Sequence, residues 1–370
     1  VWIMAYTTID DPSAHFQTET YTGSGANTTV TFSGNSDLKP DWLWIKNRGA
    51  SYGHFVVDSS RNISYAQNSS NAPYLEAESS ALENNNQNWM QSVNTDGFTT
   101  GISEHINSNS GSSFVAWAWK GAGGTTSSNT DGGITTTLQT NSTAGFTIGT
   151  YTGNGGYSTI GHGLGAIPDL VIIKGRDGNG LGGAAQYWVV GMPNTTTFGN
   201  GGSKHLFLDT DSAIATNTTM WYNTNFTTTT IPIGPHAAIN GNTAKYVFYA
   251  FKNIQGFSRV GEYTGAGSNS PFVYTGFKPA FVLIRRTDAA NSWGIVDNKR
   301  DVFNTNSDTE TLFADLTAAE SSTYKLDLLS NGFRPRSNHS IFNQNSGNYV
   351  YVAFAENPFV TSTGIPTTAR

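Results

Sequence analysis

One motif occurs three times in this chain, and its spacing limits the possible folds more than any other feature. A Tyr-Thr-Gly turn begins at Tyr21, Tyr151 and Tyr263. Each is followed by a polar, turn-rich stretch and then by a proline, a short apolar run and a cation: Pro40 to Lys46, Pro168 to Lys174, Pro279 to Arg285. The apolar run reads as a strand, with Trp42, Trp44 and Lys46 on one face and Leu43 and Ile45 on the other. More columns follow. His54–Arg61 matches Trp293–Arg300, and the second copy has Trp188–Gly191 there after an inserted loop, Gly178–Gly183. Each copy closes on an aromatic run: Phe114–Lys120, Tyr246–Lys252 and Tyr349–Ala355. These runs are apolar on both faces, which predicts central strands.

The repeat length is 130 residues from Tyr21 to Tyr151 and 112 from Tyr151 to Tyr263. That is too long for a solenoid or a propeller blade and fits a whole domain. Charged residues are 12% of the chain, about half the usual share, while aromatics are also 12% and glycines number 41. Aromatic and β-branched residues suit pleated strands, and Gly and Asn suit the tight turns between them. The expected fold is all-β: three tandem β-sandwich (jelly-roll-like) repeats of about 110–130 residues. The expected division is an N-terminal arm over 1–20, repeat one over 21–120 and a Gly/Ser/Thr linker over 121–133. Repeat two then spans 134–255, repeat three 256–359 and a tail 360–370. The arm either docks or frays. Single helical turns are expected at Leu75–Leu82 and Thr317–Ser321. The short junction near Asn253–Gly256 predicts that repeats two and three pack as a stiff pair.

Several function classes are disfavoured. A net charge of −6 with scattered cations leaves no nucleic-acid footprint. The absence of cysteine excludes disulfides, thiolate zinc and a cysteine nucleophile. No apolar run reaches the ~18 residues of a helical membrane span, and the first residues lack a signal peptide's basic and apolar regions. Met4 is a candidate native start.

The candidate chemistry is modest. The repeated cations Lys46, Lys174 and Arg285 are candidates for binding sugar hydroxyls or an anionic surface, or they are solvated strand ends. Asp58 with Arg61, and Asp297 with Arg300, read as turns in which the acid caps the backbone and the arginine folds back. The second copy lacks both residues. Carboxylates that could pair for glycoside hydrolysis are Asp297, Asp301, Glu310, Asp315 and Glu320, with Glu76, Glu78 and Glu83 in repeat one. The seven histidines show no metal spacing. Asp209–Asp211 and Asp177–Gly180 could hold Ca²⁺ without completing an EF-hand. No cofactor is expected, and no enzyme. Tyr157, Trp221 and Tyr222 lie in Gly- or Asn-rich surroundings, which suits adhesion to carbohydrate or protein.

The stretch Met4–Thr18, the Tyr-Thr-Gly units, Asn129–Gly155 and Phe354–Phe359 resemble an uncharacterised tandem β-domain family of structural proteins in marine tailed phages, cyanophage-like ones included. The resemblance covers nearly the whole chain and carries no catalytic residues. It departs at Gly191 and at Ser33–Leu38, which replaces a Gly-His-Gly-Leu-Gly loop. It implies a protein on the virion surface, assembled in the host cytoplasm. Its expected roles are a tail fibre or adhesion component, a capsid decoration or head-fibre protein, or, third, a polysaccharide depolymerase. The implied partners are other virion proteins and host-surface glycans. A homo-oligomer is expected, a trimer by analogy, unless three domains in one chain take the trimer's place.

Overall fold

The computed structural model describes residues 5–61, 72–86, 89–108, 111–179, 185–222, 224–301, 304 and 309–367. Strands make up 42% of the chain and helices 2%, so the fold is all-β. The described helical pieces are Pro12–Ala14 and Ala237–Asn240. The turns expected at Leu75–Leu82 and Thr317–Ser321 are not helical. Leu75 exchanges backbone hydrogen bonds with Val56, and Ser321 opens a strand.

Three large antiparallel sheets share one strand order. An opening strand pairs with a closing strand, the closing strand with a cation strand, and the cation strand with the strand that follows it. In the first sheet these are Phe16–Thr22, Ser113–Trp119, Trp42–Asn47 and Phe55–Asp58. In the second they are Phe146–Thr152, Lys245–Phe251, Leu170–Gly175 and Val189–Gly191. In the third they are Ser258–Thr264, Asn348–Pro358, Phe277–Arg286 and Gly294–Asp297. The aromatic closing runs are central strands, because both of their edges are paired. In the first two segments a smaller sheet covers one face of the large one. Leu43, Ile45, Phe55 and Phe114 pack there on Val30, Met90 and Phe98, and Val171, Ile173 and Phe248 pack on Ile160, Ile231 and Ile233.

The opposite faces of the three large sheets meet in one shared core. Trp42, Trp117 and Trp119 join Phe146, Tyr249 and Phe251 of the second segment and Phe281, Val352 and Phe354 of the third. Trp42 stacks on Tyr249 at 4.5 Å between centroids, Phe251 meets Phe354 at 5.4 Å, and Trp119 meets Phe354 at 5.5 Å. Each segment therefore touches the other two. The alternation read for the first cation strand holds, with Trp42 and Trp44 on the shared core and Leu43 and Ile45 inside the sandwich.

Two expected boundaries shift. The N-terminal arm supplies the start of the first opening strand at Phe16. Before it, Tyr6 Oη donates to Gly276 O at 2.7 Å and Thr7 Oγ1 donates to Gln255 O at 2.8 Å, so the arm docks on the third segment and on the junction that leads into it. The linker is also structured. Its Ser127–Asn129 pairs with a strand Thr136–Asn141, which in turn pairs with the second opening strand. Linker amides are held as well, Gly121 and Gly123 by Asp41 Oδ2 and Ala122 and Gly124 by Gln139 Oε1.

Candidate functional site

The three repeated cations are not at the surface. Lys46, Lys174 and Arg285 are fully buried, so neither surface binding nor a solvated strand end describes them. Each cation strand ends against the loop of a neighbouring segment, and the cation reaches that loop's carbonyl. Lys46 Nζ donates to Thr317 O at 3.0 Å, Lys174 Nζ donates to Ser79 O at 2.8 Å, and Arg285 Nη2 donates to Ser212 O. The contacts run in one rotational sense: first segment to third, second to first, third to second. The next turn repeats that sense, with Arg48 O, Arg176 O and Thr287 O accepting from Glu320 N, Glu83 N and Ile214 N.

An aromatic residue accompanies each cation. Lys174 Nζ lies 5.4 Å from the Trp188 ring and the Arg285 guanidinium 5.7 Å from Trp293. The indoles then donate to Glu76 O and Phe207 O of the neighbouring segment, each at 2.8 Å. His54 occupies this place in the first segment. Trp44 Nε1 donates to its Nδ1 at 2.7 Å, which leaves Nε2 to donate to Phe313 O at 2.9 Å. Burial and the Lys46 charge hold this imidazole neutral, with its pKa pushed down to about 3. Burial also pushes Lys46 down to about 8 and Lys174 to about 7, and raises Glu78 to about 7 and Asp209 to about 6. Glu78, Asp209 and, in the third segment, Asp315 each accept a backbone N–H, from His54, Trp188 and Trp293 respectively.

Asp58 and Asp297 are turn caps, as read from the sequence. Asp58 Oδ1 accepts from Ser60 N and Arg61 N, and Asp297 Oδ1 from Lys299 N and Arg300 N. The sequence did not reveal their second role. Tyr249 Oη donates to Asp58 Oδ2 at 2.6 Å, and Trp117 Nε1 donates to Asp297 Oδ2 at 3.0 Å, both across segments. The strand registers place Met192 where the first and third segments have these aspartates, and Val352 where the others have Trp117 and Tyr249. The second segment therefore lacks the acid at the interface whose facing segment lacks the donor. Gly191 has a separate cause: a Cβ there would lie 3.0 Å from Trp221. The Trp221 indole is buried and donates to Lys204 O, so this candidate too is a core residue.

The exposed candidates are Tyr157 and Tyr222, at 54% and 41%, with rings stacked 4.6 Å apart. Tyr222 holds φ +58°, a conformation that costs a non-glycine residue on the order of 1 kcal/mol. A second exposed aromatic pair escaped the sequence reading because the polar residues that make a cleft with it come from distant parts of the chain. Phe272 and Tyr274, 49% and 53% exposed, line a cleft of about 510 Å³ between the second and third segments, with Asn194, Arg259, Glu262 and Tyr351. Aromatic faces beside amide, guanidinium and carboxylate groups can hold a sugar ring by its faces and hydroxyls.

The carboxylates named for hydrolysis are largely engaged. Asp297 pairs with Arg300, Asp315 caps Trp293, and Glu320 takes Arg48 in a two-pronged contact at 2.8 and 2.7 Å. Glu83 takes Arg176 in the same way. Among the described residues no group of three His, Asp or Glu is arranged to hold a metal ion. Asp209 is turned inward on Trp188, while Asp177 binds Lys245 N and Asn179. Among the described residues no helix is long and apolar enough to cross a membrane.

A family described as a domain of unknown function, DUF7483, matches residues 11–358. No curated protein matches the chain.

Proposed function

The chain belongs to the DUF7483 family, and we propose that it is a non-enzymatic structural protein exposed on a phage particle. In this reading three tandem jelly-roll-like repeats form one body that serves a tail fibre or adhesion component and contacts host-surface glycans. The supporting observation is the presentation of aromatic rings to solvent in an otherwise well-buried aromatic protein. The Tyr157–Tyr222 stack stands on one rim, and Phe272 and Tyr274 flank a polar cleft. Exposed paired rings have a cost in water and suit a partner with an apolar ring face. Purified protein should bind host cells and compete with phage for them. Tyr157→Ala with Tyr222→Ala, or Phe272→Ala with Tyr274→Ala, should reduce that competition at least several-fold. Full competition by both double variants would remove the basis of the glycan reading.

A second reading is a capsid decoration or head-fibre protein, favoured by the cyclic three-segment arrangement, which suits a position on a three-fold axis. Immunogold labelling of particles separates the two, since gold confined to the tail excludes a capsid place. Sedimentation of the free chain tests whether it trimerises or stands alone.

A further inference from the structure

The outer edges of the three large sheets are treated in three different ways. On the opening strands Thr18 lies opposite Trp117, Ile148 opposite Tyr249 and Val260 opposite Val352. In the first sheet the ladder bonds fall on the alternate residues, as Lys120 N to His15 O and Gly23 N to Ser112 O show. The backbone groups of Thr18 therefore point out of the sheet. At the equivalent Ile148 the edge is covered by Thr136–Asn141, with Gln139 opposite. At Val260 the edge is capped by one side chain: Val260 N donates to Asn253 Oδ1 at 2.6 Å, and Asn253 Nδ2 donates back to Val260 O at 3.3 Å. At Thr18, among the described residues, no group takes the outward N–H and C=O. Its Oγ1 is buried without a partner, in a residue only 4% exposed.

This bare edge lines a cleft of about 280 Å³ between the first and third segments, opposite Asn298 and Lys299. Those two stand where Ser59 and Ser60 stand at the covered edge. There Gln139 Nε2 donates to Ser59 Oγ at 2.7 Å and to Ser60 Oγ at 3.0 Å. In the open cleft the equivalent acceptor, Asn298 Oδ1, is buried and unpartnered. We propose that this cleft takes an extended peptide segment of a partner protein, added to the sheet at Thr18, with a central glutamine or asparagine whose amide donates to Asn298 Oδ1. Backbone bonds to Thr18 hold the segment, and the amide selects it. A second copy's opening strand does not fit this role. It is recessed behind Lys299, whose Nζ donates to Ser33 Oγ at 2.6 Å, so two such edges cannot meet.

The chain carries its own probe: a synthetic peptide of residues 134–142, which contains Gln139. Added to the intact protein, it should bind saturably and slow amide hydrogen exchange at Thr18 and Thr20. Replacing the peptide's glutamine by leucine should weaken binding about tenfold, as should Asn298→Ala in the protein. Thr18→Pro should abolish binding, because its N–H is not used in the ladder and an edge strand tolerates proline there. A circular-dichroism melt confirms that this variant is folded, and Asn298→Ala carries the test if it is not. No saturable binding, equal binding by a folded Thr18→Pro, or protection at Ile148 instead of Thr18 would each overturn the proposal.

Discussion

At Asp58 one carboxylate serves two segments. Oδ1 caps its own turn and Oδ2 takes Arg61 at 2.5 Å and the Tyr249 hydroxyl at 2.6 Å. Tyr249→Phe should therefore cost about 1–2 kcal/mol in a urea titration, since a charged acceptor loses a donor it cannot replace with water. Met192→Asp should cost more, about 3–5 kcal/mol, because that site has neither an arginine nor a facing donor. The buried cations give a pH signature. The folded pKa of Lys174 is pushed down to about 7, whereas the unfolded chain keeps it near the ordinary lysine value. Between those values the unfolded chain binds more protons, so this group makes stability rise with pH. From pH 7 to 9 the wild type should gain on the order of 2 kcal/mol relative to Lys174→Met, measured as the difference of urea midpoints. The turn role of Asp58 and Asp297 was legible in the sequence, because an acid three residues before an arginine is a local pattern. The burial of Lys46, Lys174 and Arg285 was not. It depends on loops 73 to 271 residues away in the chain, such as Thr317 against Lys46, and a strand-end cation looks the same whether water or a carbonyl receives it.

Single strands account for the larger departures from the sequence reading. The glycine-rich run over 121–133 has the composition of a flexible linker, yet Asp41 and Gln139 fix four of its amides. Gln139 is fully buried and makes four hydrogen bonds at once. Gln139→Leu should therefore destabilise the protein by about 2 kcal/mol or more, with exchange accelerated first at Ala122 and Gly124. The closing strands were read correctly as central because an apolar run on both faces has few other places to go. The free edges could not be read, since edge or centre is a property of the sheet and not of the strand. Thr18, Ile148 and Val260 carry no mark that separates the bare edge from the covered and the capped one.

The molecule as a whole is held by a core that no segment owns. Cutting out residues 134–255 would expose Phe146, Ile148, Leu170, Ile172, Tyr249 and Phe251 together. That fragment should aggregate or remain unfolded, while the full chain should melt in one calorimetric transition; separate transitions and a soluble folded fragment would contradict a shared core. The interfaces also fix the order of closure. Two of them carry Arg–Glu pairs and an aspartate with a donor from across the interface, and the third carries Thr287 with Ile214 and Met192 with Val352. Exchanging segments would bury an aspartate against valine, which is far more costly than the native match. The three differently treated sheet edges also set valency. Three identical subunits would display every edge three times and capture a binding segment in threes. Among the described residues one opening-strand edge is covered, one capped and one bare, so the proposed strand-donating partner meets a single opening-strand acceptor on each body and binds one to one, whatever symmetry the surrounding assembly has.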